Sequence, residues 1–329
     1  MSFVFIGGCE RSGTTLLGAE MHRAGVGLAL PEAVFLVKAL VHSSGVSSFV
    51  DAIERDWRLT TWPTPSERIA TALDQARSEP TIASAFRSFA ICALGHRDTG
   101  QPLIDSTPWS LRYVGLIKEA FPDARFVHIV RDGRAVLASV RRLDWGPSTP
   151  LAASTWWESA LVPGLLADAA NECVTTRYED LVIDPDAVVA RIAEGIGLAR
   201  SGGWSVQGTE SETETNGPAN IAVGSYTESQ HALLAERPVR SRISAWKEEL
   251  SARDISLFEA RSGQTLGWLG YELITSPRLI SGADRLEDEV KAFAVATLGG
   301  SARRAVRRAA HARRSRRFGR GRGLSESEL

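Results

Sequence analysis

Apolar residues along the chain recur with two different periods, which predicts strands alternating with helices. Short runs predict strands at residues 3–6, 102–105, 125–130 and 174–177, and the run at 125–130 is rich in β-branched and aromatic residues. A 3.6-residue apolar rhythm predicts helices at residues 14–24, 31–41, 67–77, 82–95, 111–120, 134–142, 155–170, 185–196, 244–250 and 256–266. This alternation is typical of an α/β fold with a parallel sheet, in which ligands bind at the carboxyl ends of the strands. Residues 201–229 are rich in Gly, Ser, Thr and Glu, and this composition predicts a mobile loop.

The first predicted strand leads into a loop bracketed by Gly8 and Gly13, and a helix begins near Thr14. This is the layout of a phosphate-binding P-loop, in which backbone N–H groups and the helix start attract an anion. Where a nucleotide-triphosphate loop carries Lys, this chain has Thr14, and the cation of the loop is Arg11. The pattern predicts a phosphate or sulfate cradle that is not built for ATP. The alternative is a plain strand–turn–helix in which the glycines only make the turn.

A second candidate anion site follows the predicted strand at residues 125–130. Arg131 falls at the carboxyl end of that strand, and Ser139 lies two turns into the next helix. A guanidinium and a hydroxyl together suit a phosphate group. The alternative is that Arg131 pairs with a local acid such as Asp132 while Ser139 caps or packs. Two anion sites in one chain indicate a ligand that carries phosphate groups at both ends.

Together these motifs resemble those of sulfotransferases that use 3′-phosphoadenosine 5′-phosphosulfate (PAPS). Residues 8–17, GCERSGTTLL, look like the 5′-phosphosulfate loop of that family, and residues 130–139, VRDGRAVLAS, look like its 3′-phosphate motif. Residues 104–142 and 176–185 are similar in order and spacing to tyrosylprotein and related glycan-type sulfotransferases. The resemblance covers roughly residues 3–200. It implies a three-layer, P-loop-like α/β fold with a parallel sheet flanked by helices.

The resemblance also implies which residues bind the nucleotide. Tyr178 has the position of a family tyrosine that reaches the 3′-phosphate, and a packed core tyrosine is the alternative. PAPS would be the co-substrate and PAP the product, with no metal ion. The predicted nucleotide-binding residues are Arg11, Ser12, Gly13, Thr14, Thr15, Arg131, Ser139 and Tyr178. A basic segment further along the chain resembles a loop that closes over the nucleotide in the family; its residues are Arg240, Arg242 and Lys247. A solvated helix start explains these residues equally well, so they are left off this set.

Two residues are predicted to be catalytic. Glu32 has the position of a catalytic Glu in tyrosylprotein-type members and would take the acceptor proton, while Arg11 would stabilise charge on the leaving group. The alternative for Glu32 is that it stabilises the first turn of a helix through the macrodipole. Many relatives have Lys where this chain has Ser106, so Arg11 or Lys38 is a candidate for that missing cation.

Other sequence features leave further alternatives. Cytosolic small-molecule sulfotransferases use a His base, for which His96 and His128 are conceivable, although His128 lies in mid-strand and is expected to be packed. A P-loop kinase or NTPase with a degenerate loop would use Asp105 as a metal ligand. A non-catalytic anion-binding module is the third hypothesis. The acceptor hydroxyl belongs to a glycan, a tyrosyl or other phenol, or a natural product.

Charge and cysteine content bear on organisation and location. The 38 Lys and Arg nearly balance the 39 Asp and Glu, yet residues 302–322 are dense in arginine and contain no acid. We predict a sulfotransferase domain at residues 1–275 and a helical, arginine-rich tail at 276–329. The tail is interpreted as solvated, with contact to an anionic surface as the alternative, and without nucleic-acid binding. Three separated cysteines and a strand at the start of the chain, without a basic leader, favour the cytoplasm. The oligomeric state stays open.

Overall fold

A computed structural model of the protein describes residues 2–143, 145–198 and 240–298. Its five strands are β1 (Phe3–Gly8), β2 (Leu28–Ala29), β3 (Leu103–Asp105), β4 (Ala124–Val130) and β5 (Cys173–Arg177). They form one sheet in the order β2-β3-β1-β4-β5, and every neighbouring pair is parallel. The carboxyl ends of the strands therefore share one edge of the sheet. The predicted α/β fold with a parallel sheet is confirmed.

Helices connect these strands and continue beyond them. In chain order they are α1 (Thr14–Arg23), α2 (Leu36–Val41), α3 (Val46–Arg55), α4 (Ser66–Arg77), α5 (Ile82–Leu94), α6 (Val114–Ala120), α7 (Gly133–Val140), α8 (Pro150–Ala169), α9 (Tyr178–Ile183), α10 (Pro185–Gly195), α11 (Ser241–Ser244), α12 (Trp246–Glu249), α13 (Ala252–Trp268) and α14 (Gly282–Leu298). Short 3-10 segments lie at Trp57–Thr61 and Pro108–Tyr113. Among the described residues, no helix combines the length and the apolar character that crossing a membrane requires.

Side chains of β1 alternate between two hydrophobic clusters, as the strand period of two requires. Phe3 and Phe5 join a cluster formed with α2 to α6, whereas Val4 and Ile6 join one formed with α1, α9 and α10. Within the first cluster the rings of Phe3 and Phe121 meet edge to face, with centroids 4.7 Å apart. The sheet is thus buried on both faces, which is the environment of a parallel sheet.

The chain divides into two compact units. The first comprises Met1–Val136 and Trp157–Glu248 and contains the whole sheet, and the second comprises Leu137–Trp156 and Glu249–Leu329. Within the second unit, the buried carboxylate of Asp288 accepts hydrogen bonds from the Thr149 hydroxyl at 2.7 Å and the Leu151 amide at 3.2 Å. The predicted division at residue 275 stays a prediction. The arginine-rich residues 302–322 and the predicted loop at 201–229 lie outside the described residues.

One predicted helix is wrong at its start, and this changes the surroundings of Glu32. The sequence predicts a helix from residue 31, but α2 begins at Leu36. The segment before it follows the sheet edge, because the Leu30 amide donates to the Ile104 carbonyl at 2.9 Å and the Ala33 amide donates to Asp105 Oδ1 at 3.0 Å. Glu32 is therefore not in the first turn of a helix, and the macrodipole alternative is wrong.

Other boundaries differ less. Helix α8 begins at Pro150 rather than at residue 155, and α3 at Val46–Arg55 was not predicted. The helix predicted at residues 111–120 begins later, because residues 111–113 belong to the 3-10 segment Pro108–Tyr113 and α6 begins at Val114. Apart from the missed helix α3, these differences lie at element ends, where local sequence signals are weakest.

Candidate active site

The loop between β1 and α1 has a backbone that only glycine suits at two points. A Cβ at Gly8 would lie 2.4 Å from the Ile129 carbonyl oxygen, and one at Gly13 would lie 2.7 Å from Cδ2 of Tyr178. Gly13 also has φ of 97°, and Arg11 has φ of 71°, in the left-handed region. The loop is thus pressed against β4 and Tyr178, and its turns bring successive amides to the start of α1.

Polar groups inside this loop fit an anion. Ser12 is fully buried, and its hydroxyl has no hydrogen-bond partner among the residues that the structure describes. Buried hydroxyls are ordinarily paired, so this one calls for a ligand atom or water. The first turn of α1 contains no acidic residue, and its first amides have no partner within the helix. An unpaired hydroxyl and a ten-residue helix that starts at Thr14 together suit a phosphate or sulfate group.

Arg131, at the end of β4, lies beside this loop. Its Nη1 donates to the Arg11 carbonyl at 2.9 Å, and its guanidinium stacks over the Tyr178 ring, 4.1 Å from the centroid. Asp132 is not its partner, because the Asp132 carboxylate binds Arg134 at 2.8 Å in a buried ion pair. The alternative in which Arg131 pairs with Asp132 is therefore wrong. The structure brings together Arg131, Tyr178 and the loop, although they are far apart in sequence.

Positive charge is concentrated around the loop. Burial lowers the pKa of the Arg11 guanidinium, and the nearby charges of Arg131 and Arg242 lower it further. Arg242 also accepts a hydrogen bond from Arg131 Nη2 through its carbonyl, at 3.5 Å. Like charges held this close favour the binding of an anion between or beside them. Of the other basic residues in that segment, Arg240 donates to the Ile183 carbonyl at 3.1 Å.

Ser139 lies on α7 and is half-buried. It belongs to the second unit, whereas Arg131 belongs to the first. Its part in a 3′-phosphate site stays a prediction that rests on the motif.

Glu32 is linked directly to the loop, since its Oε1 accepts a hydrogen bond from the Thr15 hydroxyl at 3.2 Å. Burial raises the pKa of this carboxyl to about 7, and the charge of Asp105 adds to the rise. The Thr15 hydrogen bond and the charge of Arg11 oppose that rise. A carboxyl that titrates near neutral pH can both hold and release a proton under working conditions, which suits a general base.

The position of the missing family lysine is filled differently. Ser106 is buried and faces α1, where a Cβ at Gly18 would lie 3.5 Å from the Ser106 Cβ. Lys38 is 60% exposed and pairs with Asp56 at 3.5 Å. Arg11, by contrast, is the cation whose charge acts on Glu32. The geometry favours Arg11 over Lys38 for the helper role.

Both histidines considered as bases lie in other surroundings. His128 is fully buried in β4, where its Nδ1 lies 3.4 Å from the Thr175 hydroxyl, and burial lowers its pKa to about 4. The prediction that His128 is packed is confirmed. His96 is exposed and follows α5. The described ranges contain no group of three or more His, Cys, Asp or Glu residues placed to hold a metal ion.

Sequence reasoning missed two acids at this site. Asp105, considered only as a metal ligand, bonds the backbone beside Glu32. Glu10, in the loop itself, has a buried Oε2 without a partner among the described residues, and burial raises its pKa. The position of Asp105 at the carboxyl end of β3 was a usable signal, whereas nothing in the local sequence marked Glu10.

Comparison with known proteins shows the class of protein. Residues 4–202 match the Sulfotransferase family, and because this range is more than half of the chain, the chain belongs to that family of transferases. Both the predicted family and the predicted fold are therefore confirmed.

The chain is similar to particular members. Protein-tyrosine sulfotransferase A of Caenorhabditis elegans is 28% identical over 202 residues, which are 58% of this chain and 49% of that protein. Protein-tyrosine sulfotransferase 2 of Gallus gallus is 24% identical over 288 residues, 84% of this chain and 71% of that protein. The match thus spans about half the length of the first relative. The fold is similar to the sulfotransferase domain from the Synechococcus PCC 7002 olefin synthase, with a TM-score of 0.55, 20% identity, and coverage of 83% of this chain and 96% of that one.

Proposed function

We propose that the protein transfers the sulfuryl group of PAPS to a hydroxyl of an acceptor and releases PAP. Family membership supports this proposal. The observation that carries it is the hydrogen bond from Thr15 to Glu32, because it joins the anion-binding loop to a carboxyl whose pKa is about 7. A donor group in the loop and a base beside it are the two parts that group transfer to a hydroxyl requires.

Residues of the site fit the two phosphate ends of PAPS. Ser12, Gly13, Thr14 and Thr15 would hold the 5′-phosphosulfate with the amides and hydroxyls of the loop. Arg131 would hold the 3′-phosphate, with its guanidinium kept in place by the Tyr178 ring and the Arg11 carbonyl. Tyr178 therefore acts in this proposal mainly by supporting Arg131. Ser139 is the further candidate from the motif.

The transfer step is an in-line displacement. The acceptor oxygen forms a bond to sulfur while the bond between sulfur and the 5′-phosphate oxygen breaks, and PAP leaves with that electron pair. Glu32 takes the proton of the acceptor hydroxyl. Arg11 offsets the negative charge that grows on the leaving phosphate. Its charge already acts on Glu32, which supports a position close to the reacting groups. The phosphate is a good leaving group, so the proposal includes no metal ion.

The acceptor we propose is the phenolic hydroxyl of tyrosine. The similar proteins are named protein-tyrosine sulfotransferases, which supports this choice. A phenol has an ordinary pKa near 10, so proton removal by a base with pKa about 7 has to accompany bond formation. Glycan and natural-product hydroxyls are the other acceptors to screen. The cytoplasmic location and the contact of the basic tail with anionic surfaces stay predictions.

The proposal is tested first by calorimetric titration with PAP in the absence of magnesium, beside ATP. We expect PAP to bind far more tightly than ATP, and Arg131→Ala to weaken PAP binding at least tenfold. Arg77→Ala is the matched control, because Arg77 forms ion pairs with Asp51 and Glu54 at a helix surface and is expected to leave PAP affinity unchanged.

Transfer is then measured from labelled PAPS to a tyrosine peptide and to sugar and phenol acceptors. Glu32→Gln is expected to bind PAP normally and to lower the transfer rate about 10²-fold or more, as loss of a general base does. Magnesium-dependent ATP turnover would instead support the kinase or NTPase alternative. PAP binding without transfer to any acceptor would support the non-catalytic module.

A further inference from the structure

Asp105 is a buried acid at the carboxyl end of β3 that the proposed transfer step does not use. Its Oδ1 accepts hydrogen bonds from the Ala33 amide at 3.0 Å and from the Thr107 hydroxyl at 2.8 Å, and its Oδ2 lies 3.4 Å from the Ser110 hydroxyl. The hydrogen bond with the Ala33 amide reaches a segment 72 residues earlier in the chain. Burial raises the pKa of the Asp105 carboxyl above its ordinary value, and these hydrogen bonds, which favour the charged carboxylate, oppose that rise.

The Ala33 amide that Asp105 holds is next to Glu32 in the chain. A second bond fixes the same segment on its other side, because the Glu32 carbonyl accepts from Trp62 Nε1 at 3.4 Å. Glu32 is thus held at three points: at the amide of the next residue by Asp105, at its own backbone carbonyl by Trp62, and at its side-chain carboxyl by Thr15. Of these partners, Asp105 is the one that also carries charge.

Several charged groups act on Glu32 from the elements packed around it. Asp105 on β3 and Glu10 in the loop are negative and favour the protonated carboxyl, whereas Arg11 in the loop is positive and favours the carboxylate. Asp105 has the largest effect of the three charges. A like charge that is fixed by hydrogen bonds cannot move away when Glu32 loses its proton, so its effect persists through the reaction.

We propose that Asp105 is the positioning residue for Glu32: it clamps the backbone beside Glu32 and places a fixed negative charge next to the Glu32 carboxyl. This inference rests on the proposed function, in which Glu32 is the general base. Asp105 does not touch the reacting atoms. Its clamp sets where the base lies, and its charge adds to the effect of burial in raising the pH at which the base becomes active.

Two substitutions separate the clamp from the charge. Asp105→Asn keeps an oxygen that can accept from Ala33 and Thr107 but removes the charge. We expect the rise of transfer rate with pH to move about one pH unit lower, and the rate on the alkaline side to stay within a few fold of the wild-type rate.

Asp105→Glu keeps the charge on a longer side chain and displaces the clamp. We expect kcat to fall on the order of 10²-fold while KM for PAPS changes little, because a displacement of about 1 Å costs that much in rate.

A direct readout keeps this test independent of activity. The Glu32 carboxyl is titrated by NMR in protein labelled with ¹³C at the glutamate side-chain carboxyl, and its signal is assigned by its loss in Glu32→Gln. A lower Glu32 pKa in Asp105→Asn supports the inference even if no acceptor is found and the proposed function fails. Thermal unfolding and PAP titration show whether each variant is folded. If Asp105→Asn does not fold, the kcat and the Glu32 pKa of Asp105→Glu decide.

The matched control is Asp56→Asn. Asp56 is another buried acid of the first unit, and its carboxylate accepts from the Arg58 amide at 2.9 Å. We expect this variant to leave both the Glu32 titration and the pH dependence of transfer where they are in the wild type. The inference is overturned if the Glu32 carboxyl has the same pKa in Asp105→Asn as in the wild type. It is also overturned if Asp105→Glu transfers sulfuryl at the wild-type rate.

Discussion

Protonation of His128 is expected to destabilise the folded protein as the pH falls from about 6.5 to about 4. The ring is fully buried in β4, and α8 passes so close that a Cβ at Gly164 would lie 2.4 Å from the ring carbons. Nε2 has no partner among the described residues. A proton added there would place a charge where neither water nor a hydrogen-bond acceptor of the described chain reaches it.

The size of the effect follows from the pKa. Burial lowers the pKa of His128 from 6.5 to about 4 in the folded protein. The unfolded chain therefore binds the proton more readily, so the contribution to stability is complete above pH 6.5 and is lost as the pH falls toward 4. The full difference corresponds to about 3 kcal/mol, and about 2 kcal/mol of it is lost at pH 5. For a domain that is stable by roughly 5–15 kcal/mol, this loss is easily measured.

The assay is urea unfolding of the wild type and His128→Leu at pH 7.5 and at pH 5.0. Other groups also titrate in this range, so the quantity of interest is the difference between the two proteins. Between pH 7.5 and pH 5.0, the free energy of unfolding is expected to fall by about 2 kcal/mol more in the wild type than in His128→Leu. His42→Gln, which changes an exposed histidine, is expected to follow the wild type.

If the free energy of unfolding falls by the same amount in the wild type and in His128→Leu, protonation of His128 does not destabilise the folded protein. The variant also tests the role of His128 in transfer. Because Glu32 is the proposed base, His128→Leu is expected to keep the rise of transfer rate near pH 7. A rise that disappears in this variant would return His128 to the list of candidate bases.

Two further predictions concern the nucleotide site. Gly13→Ala is expected to lower PAP affinity at least tenfold in the calorimetric titration, because the new Cβ would lie 2.7 Å from Tyr178 and the backbone φ is 97°. Gly18→Ala is the control: its Cβ would make an ordinary 3.5 Å contact, and PAP affinity should stay unchanged. Tyr178→Leu removes the ring beneath Arg131 and should weaken PAP binding by about 0.5–2 kcal/mol, whereas Tyr178→Phe should bind within twofold of the wild type. A loss in Tyr178→Phe as large as in Tyr178→Leu would show instead that the hydroxyl holds the phosphate.

Much of the fold was predictable because its signals are local. Each strand of the sheet except the two-residue β2 appears in the sequence as a compact run of apolar or β-branched residues. The loop from Gly8 to Gly13 could be recognised because its conformation depends on glycines within a few residues of each other. The start of α2 was predicted wrongly, because Pro31 and Glu32 look like a helix start while Asp105, far along the chain, holds the segment in another conformation.

The sequence by itself determined the parallel α/β fold, the family, the anion-binding loop and the candidates Glu32 and Arg131. These depend on period, on short motifs and on the order of elements, all of which can be read along the chain. Only the tertiary structure decided which partners these residues have. Thr15 meets Glu32 across 17 residues, Arg131 meets the loop across 120, and Asp105 meets Ala33 across 72. Burial and neighbouring charge set the pKa of a side chain, and both arise only when distant segments pack together.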